Sequence, residues 1–184
     1  ATITSALVER KFQGHLDTLH LFSKLPDLVR SVERHDEEAT RKSLKALVES
    51  YPQAVRAFVA DSKGTLWSDY PKAPESLGEN FSHRDWYKGV SKSWQPYISE
   101  IYQRNAEPKL LLIAVAVPII HERHGNVLGE LVYQISLDSV TQLLQKIKIG
   151  ESGYVFLLDH SGNLAAHPKL DLQEREYPEY GQNE

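Results

Sequence analysis

The sequence contains no cysteine and no methionine. The first absence excludes disulfides and thiolate metal sites, and it suits a reducing or an oxidising compartment equally. The second, with alanine at position 1, reads as a processed or trimmed chain. There is no basic excess either. Lys and Arg number 21 against 25 Asp and Glu, for a formal charge of -4, so no cationic face is offered to nucleic acid. No apolar run approaches the roughly 20 residues that span a bilayer. The longest, 110–120, carries Pro118 and reads as a buried strand. No signal peptide, Walker loop, dinucleotide fingerprint or nucleophile motif occurs, so no catalytic residue is assigned. What is present is an ordinary globular mix of 184 residues, 41% hydrophobic and 25% charged, enough for one domain or somewhat more.

Ile3, Leu7, Phe12, Leu16, Leu19, Phe22 and Leu25 recur at steps of three to five. This spacing predicts a helix over 1–25, which Pro26 kinks or restarts. A second helix is predicted over 36–50, capped by Asp36, with Glu37 and Glu38 at its positive end and Leu44, Leu47 and Val48 on its apolar side. Its charged face offers Glu38 and Lys42 as an ion pair one turn apart. The stretch "AVRAFVADSKGTLWSD" then reads as a hairpin turning at 61–64. A proline-rich loop follows. "FSHRDWYKGV" at 81–90 reads as a short helix with Ser82 as its cap. Short extended segments around Tyr97 and Tyr102 come next. Strands over 110–117 and 128–135 flank a polar turn, and a helix is predicted over 139–148.

An internal repeat stands out. "FVADSKGTL" at 58–66 matches "FLLDHSGNL" at 156–164 with a constant offset of 98 positions (58 to 156, 66 to 164). Phe, Asp, Gly and Leu coincide, and a proline follows each copy at Pro71 and Pro168. Two copies of one strand-hairpin module are expected, the second with too few residues after it to repeat the whole first sheet. Asp61 and Asp159 are each explained by a turn.

The order of long helix, hairpin, loop, short helix and three antiparallel strands is an α+β, PAS-like layout. The blocks "GENFSHRDWYKGV", "PYISEIY", "LLLIAVAVPI", "GELVYQISLDSV" and "GESGYVFLLDHSGNLAAHP" occur in that order. In them the chain resembles the double Cache family, extracytoplasmic sensor domains of chemoreceptors, sensor histidine kinases and diguanylate cyclases. The resemblance implies a long N-terminal helix in 1–51, a membrane-distal PAS-like ligand-binding module in 52–138, a connecting helix in 139–149 and the truncated start of a membrane-proximal PAS-like module in 150–184. It implies the periplasmic or extracellular part of a membrane-anchored receptor with no enzymatic activity, no cofactor and a small-molecule ligand. The first helix is expected outside the core of the distal module. Its stripe either pairs with a second copy, giving a weak homodimer, or packs only on its own module.

The segment 84–87 places a guanidinium, an indole and a phenol together. A planar guanidinium grips a carboxylate with paired hydrogen bonds. Rigid aromatic walls exclude water and strengthen that grip. The same cluster also reads as plain core, with Arg84 paired to a neighbouring Asp. The resemblance implies that Arg84, Trp86 and Tyr87 line the distal pocket, together with Tyr97 and Phe81. Ala114 and Ala116 share one strand face, leaving space for a ligand or for a bulky neighbour. Where amino-acid-binding relatives place carboxylates for the ligand's ammonium, this chain has Ser99 and Gln134. The carboxylate end of the pattern is kept and the amine end is not. A buried ammonium without a counter-charge is costly, so the expected ligand is a small carboxylate lacking an amine, such as a hydroxy or keto acid. The alternatives are an amino-acid or amine sensor with a non-standard pocket, or a sensor of a protein partner. A pocket filled by side chains around Arg84 would favour the last. His121 and His124 are read as exposed turn histidines rather than metal ligands, and His83 as an exposed first-turn residue.

Overall fold

The computed structural model describes residues 2–104, 107–121, 123–146, 153–158 and 164–167, with the backbone alone at 2–9, 143, 164 and 165. Helix α1 spans Thr2–Phe22 and stops before Pro26, which opens α2 (Pro26–Glu33) as a first-turn proline. Helix α3 (Glu37–Ser50) starts where Asp36 accepts a hydrogen bond from the Ala39 N–H at 3.0 Å. The ion pairs along it are Arg41 with Glu37 at 2.9 Å and Lys45 with Glu49 at 3.7 Å, not Lys42 with Glu38.

Strands β1 (Ala54–Asp61) and β2 (Leu66–Tyr70) form the predicted hairpin. Asp61 Oδ1 accepts from the N–H groups of Lys63 and Thr65 at 2.8 and 2.9 Å, and Gly64 takes the left-handed conformation that closes the turn, with φ +85°. Helix α4 (Asp85–Ser91) follows a loop. Then come β3 (Tyr97–Ile98), β4 (Tyr102–Gln103), β5 (Leu111–Ile120), β6 (Val127–Ser136) and α5 (Leu137–Gln145). The antiparallel sheet has the order β2-β1-β6-β5-β3, with β4 also on β5. Its middle strands β5 and β6 are covered on both faces, which is why 110–120 reads as an unbroken apolar run.

The two faces carry different loads. On the back, Ala57, Val59, Ile113, Val115, Leu131, Tyr133 and Ile135 pack with Leu19, Leu28, Leu44 and Leu47 from the helices. On the front, Phe58, Ala60, Leu112, Ala114, Ala116 and Val132 pack with Phe81, Trp86 and Val90. The expectation that the first helix stays outside the core fails for its second half. Leu19 is fully buried, and Phe12, Leu16 and Phe22 lean on the same cluster, because the exposed back of a sheet this apolar needs a cover. Ile3 and Leu7, the other members of the stripe, have side chains outside the described residues. The short helix also begins differently. Arg84 holds the N-cap position, with no side-chain cap, while the Ser82 N–H is taken by Asn80 Oδ1 at 3.0 Å.

The repeat survives at the level of register. β1 and β2 pair Val59 with Ser68 and Ala60 with Leu66, with a shift between the two pairs. Strands β7 (Leu157–Leu158) and β8 (Leu164–Ala166) pair Leu157 with Ala166 and Leu158 with Leu164, with a shift at the same place. Each residue of the second hairpin lies 98 positions after its counterpart (59 to 157, 68 to 166). Asp159, Gly162 and Pro168 lie outside the described residues.

Candidate functional site: a buried polar cluster beneath α4

Helix α4 lies across β5 and β3. Gly89 allows this approach: a Cβ there would stand 2.2 Å from the Tyr97 ring. Trp86, 2% exposed, points inward from α4 and meets Phe58 edge-on at 5.2 Å and Phe81 at 6.5 Å. Arg84, 5% exposed, places its guanidinium carbon 5.4 Å from the centre of the Tyr102 ring. Its Nη1 is buried and has no hydrogen-bond partner. Asp85, the neighbour that could have neutralised it, is occupied instead. It accepts from the Glu100 N–H at 2.7 Å and from the Tyr97 hydroxyl at 3.2 Å.

Beneath Arg84 the sheet supplies three aligned pairs. On the front face β1 offers Arg56, Phe58 and Ala60, opposite Gln134, Val132 and Glu130 of β6. On the other side of β6, Ala114, Ala116 and Pro118 of β5 face the same three residues. Arg56 pairs with Asp69 of β2 at 2.5 Å, both side chains buried. Gln134 Nε2 donates to the Tyr102 hydroxyl at 2.7 Å. Burial pushes the Tyr102 phenol up to about 12 against the pull of the Gln134 bond and of Arg84, Arg56 and Arg104, so it stays neutral. Four buried atoms here have no partner: Arg84 Nη1, Arg56 Nε, Asp69 Oδ1 and Gln134 Oε1. Buried polar groups are nearly always paired, and each orphan costs about 1–3 kcal/mol. Such a concentration makes this cluster the candidate site among the described residues.

The expected site residues fall into three groups. Phe81, Trp86, Ala114 and Ala116 share the front apolar cluster, with Tyr87 and Tyr97 packed against it. Arg84 and Gln134 meet at the polar end through Tyr102. Ser99 is turned to the backbone: its hydroxyl accepts from the Ala114 N–H at 2.8 Å and donates to the Glu100 carbonyl at 2.7 Å. The Tyr87 hydroxyl donates to the Ser62 carbonyl at 3.0 Å, out at the hairpin turn. His121 Nδ1 accepts from the N–H groups of Arg123 and His124, and its Nε2 lies 3.2 Å from Glu33, which gives this histidine a turn-closing role.

Arg56, Asp69, Tyr102 and Glu130 escaped the sequence reading. Two of them left a signal. Arg56 interrupts an apolar strand on the face of Phe58, and Glu130 lies two alternations before Gln134 on the same face.

The cluster is closed over by α4 and the loop before it. More open clefts lie elsewhere, such as one of about 790 Å3 between α2 and α3, lined by Leu25, Arg30, Ala39 and Ala46. None of the residues lining four such clefts has a buried polar atom without a partner. Chemistry, not size, singles out the cluster beneath α4.

Known proteins place this fold. The family profile dCache_1, described as a Cache domain, matches residues 1–183. The methyl-accepting chemotaxis protein McpA of Pseudomonas putida is 24% identical over 132 residues, which cover 70% of this chain and 20% of McpA. The ligand-binding domain of the amino-acid chemoreceptor PctB of Pseudomonas aeruginosa, solved in complex with L-Gln, superposes with a TM-score of 0.70 at 21% identity, covering 91% of this chain and 65% of that one. The ligand-binding domain of the Pseudomonas fluorescens chemoreceptor CtaA, solved in complex with L-isoleucine, gives the same TM-score of 0.70 and 21% identity, again with 91% and 65% coverage. The chain spans about a fifth of the length of the curated relatives it matches first. The match along nearly its whole length and the shared α+β architecture make the chain a member of the Cache domain family.

Proposed function

We propose that this chain is the extracytoplasmic ligand-sensing part of a membrane-bound receptor, and that the cluster beneath α4 holds a small molecule by its carboxylate, with Arg84 as the grip. The observation that carries the reading is the buried Arg84 Nη1 with no partner in the protein. Arg84 forms no ion pair among the described residues, and the carboxylate beside it in sequence is spent on Tyr97 and Glu100. A carboxylate from outside would satisfy it in a water-poor setting, where a charged pair is strongest.

Residues 52–138 would be the membrane-distal module, 139–149 the connection, and 150–184 the start of a membrane-proximal module. The repeated hairpin register supports that division. No helix among the described residues is long and apolar enough to cross a membrane, so anchoring and any pairing of α1 with a second copy would involve the longer protein. The chain acts here as a sensor, not as a catalyst.

PctB and CtaA were solved with amino acids. In this chain Gln134 is uncharged and the Ser99 hydroxyl is committed to the backbone, so neither position expected to hold an anion can neutralise an α-ammonium. This favours a carboxylate without an α-amino group. The rival, recognition of a protein partner with no small ligand, draws support from the closed state of the cluster. The orphaned polar atoms weigh against it, since a filled core has no use for them. Entry of a ligand then needs α4 and its preceding loop to move, as binding-competent minor states allow.

The test is calorimetry of wild type, Arg84→Ala and Arg84→Lys against matched acids with and without an α-amino group. The amine-free acid should bind better, and both variants should lose more than a hundredfold, about 3 kcal/mol. Binding by Arg84→Ala at wild-type strength would mean that the guanidinium is structural.

A further inference from the structure

Glu130 is the most isolated ionisable group in the described chain. It is 0% exposed, and neither carboxylate oxygen has a hydrogen-bond partner. It lies in the central strand β6, between Ala60 of β1 and Pro118 of β5, on the same face as Val132 and Gln134. The groups around it make matters worse rather than better. Asp61, at the end of β1, repels it, Tyr87 of α4 lies close enough to feel its charge, and Ala60 and Pro118 offer no side-chain donor. Asp61 is itself spoken for by Lys63 and Thr65. Ionised, a glutamate in this place costs the fold stability.

We propose that Glu130 is a second anchor of the same site, holding the ammonium of a ligand whose amine and carboxylate stand at opposite ends of a short apolar chain. The inference rests on the carboxylate reading of Arg84 and adds the other end of the molecule. Arg84 and Gln134 mark one end of the front face through Tyr102, and Glu130 marks the other. Between them lie Phe58, Val132, Ala116 and Trp86, packed in one apolar cluster that a ligand would have to part. Gln134 and Glu130 are four residues apart on one strand, ~13 Å at ~3.3 Å per residue, and a hydrogen bond of about 2.9 Å at each end leaves roughly 7 Å for the ligand itself. An α-amino acid, with one carbon between its charges, cannot bridge that span. An ω-amino acid of about four to six carbons can.

The protonation chemistry follows. Burial, with Asp61 adding to it, holds the Glu130 carboxyl at about 9, so it carries a proton near neutrality. When an ammonium arrives the carboxyl ionises and its proton goes to solvent, while the ligand keeps its own charge. Binding of the amine therefore releases one proton per ligand and strengthens as pH rises toward the carboxyl's own range.

The experiment is titration calorimetry of this chain with 5-aminopentanoate, pentanoate and L-norvaline, in two buffers of different ionisation enthalpy. Wild type should bind 5-aminopentanoate at least tenfold more tightly than either other acid and release close to one proton. In Glu130→Gln the ratio of 5-aminopentanoate to pentanoate affinity should collapse to about one, and the proton release should vanish. Circular dichroism on the variant checks that it is folded. If pentanoate binds in an Arg84-dependent manner and the terminal amine adds neither affinity nor proton release, Glu130 is no anchor while the carboxylate reading stands. If Arg84→Ala leaves pentanoate and 5-aminopentanoate binding intact, the carboxylate reading itself falls, and this inference with it.

Discussion

Arg84 reaches over Tyr102, its guanidinium carbon 5.4 Å from the ring centre. The same phenol receives the Gln134 amide at 2.7 Å. One aromatic ring thus orients both polar groups at the deep end of the cluster. Tyr102→Phe keeps the ring for Arg84 and removes the one partner that the Gln134 amide nitrogen has among the described residues. The expected cost is about 1–3 kcal/mol of stability, because the amide stays buried with nothing to bond. Urea unfolding measures it. A variant as stable as wild type would mean that Gln134 finds another acceptor.

Gln134→Asp puts a carboxylate where the amide now stands, opposite Arg56 and beneath Arg84. An α-ammonium beside the Arg84-bound carboxylate would then meet an opposite charge. The preference should move toward α-amino acids by tenfold or more. Competition calorimetry with lactate and alanine reads the change. An unchanged preference would show that position 134 does not face the ligand's second carbon.

Glu130 makes stability depend on pH. Its folded carboxyl titrates at about 9 instead of 4.5. The folded state therefore holds the proton more tightly than the unfolded one. Its contribution is fully present below the ordinary carboxyl range and is lost as pH rises toward 9. At pH 8, Glu130→Gln should exceed wild type by on the order of 1–3 kcal/mol, and at pH 4 the difference should close. Denaturant melts at the two pH values settle the sign. A gap that is constant with pH would place the Glu130 carboxylate in contact with a cation or with water.

The Arg56–Asp69 pair is a buried ion pair whose partners are not interchangeable with solvent. Asp69 also accepts from the Ala73 N–H at 2.9 Å, so it fixes the loop after β2 as well. Asp69→Ala leaves a buried guanidinium alone and should cost about 3–5 kcal/mol. Replacing both residues by apolar ones should recover much of that. Thermal melts of the single and double variants test this, and equal melting points for Asp69→Ala and wild type would mean that Arg56 reaches water.

Local chemistry was legible before the structure. Asp36 caps α3, Pro26 restarts the helix, and Asp61 and Gly64 close the first hairpin, because each acts on residues only a few positions away. The alternation along β5 placed Ala114 and Ala116 together on the front face, and the repeat foretold a matching hairpin register. The contacts that decide the cluster were not legible. Arg56 meets Asp69 and Gln134 meets Tyr102 only once strand registers bring distant segments together. Ser99 shows the limit from the other side. It is expected as a ligand contact, and its hydroxyl is claimed by backbone groups, the Ala114 N–H of the neighbouring strand among them.

Tyr133 precedes Gln134 in β6 and points the opposite way. Its ring packs into the helical layer, edge-on to His15 of α1 at 5.8 Å. A single peptide unit therefore joins a side chain that would touch the ligand to one that touches the long helix. A rigid strand cannot rotate at one residue and stay still at the next. On the ligand reading, a small twist at Gln134 would reach α1 without any relay of intermediate side chains, across no more than the thickness of one sheet.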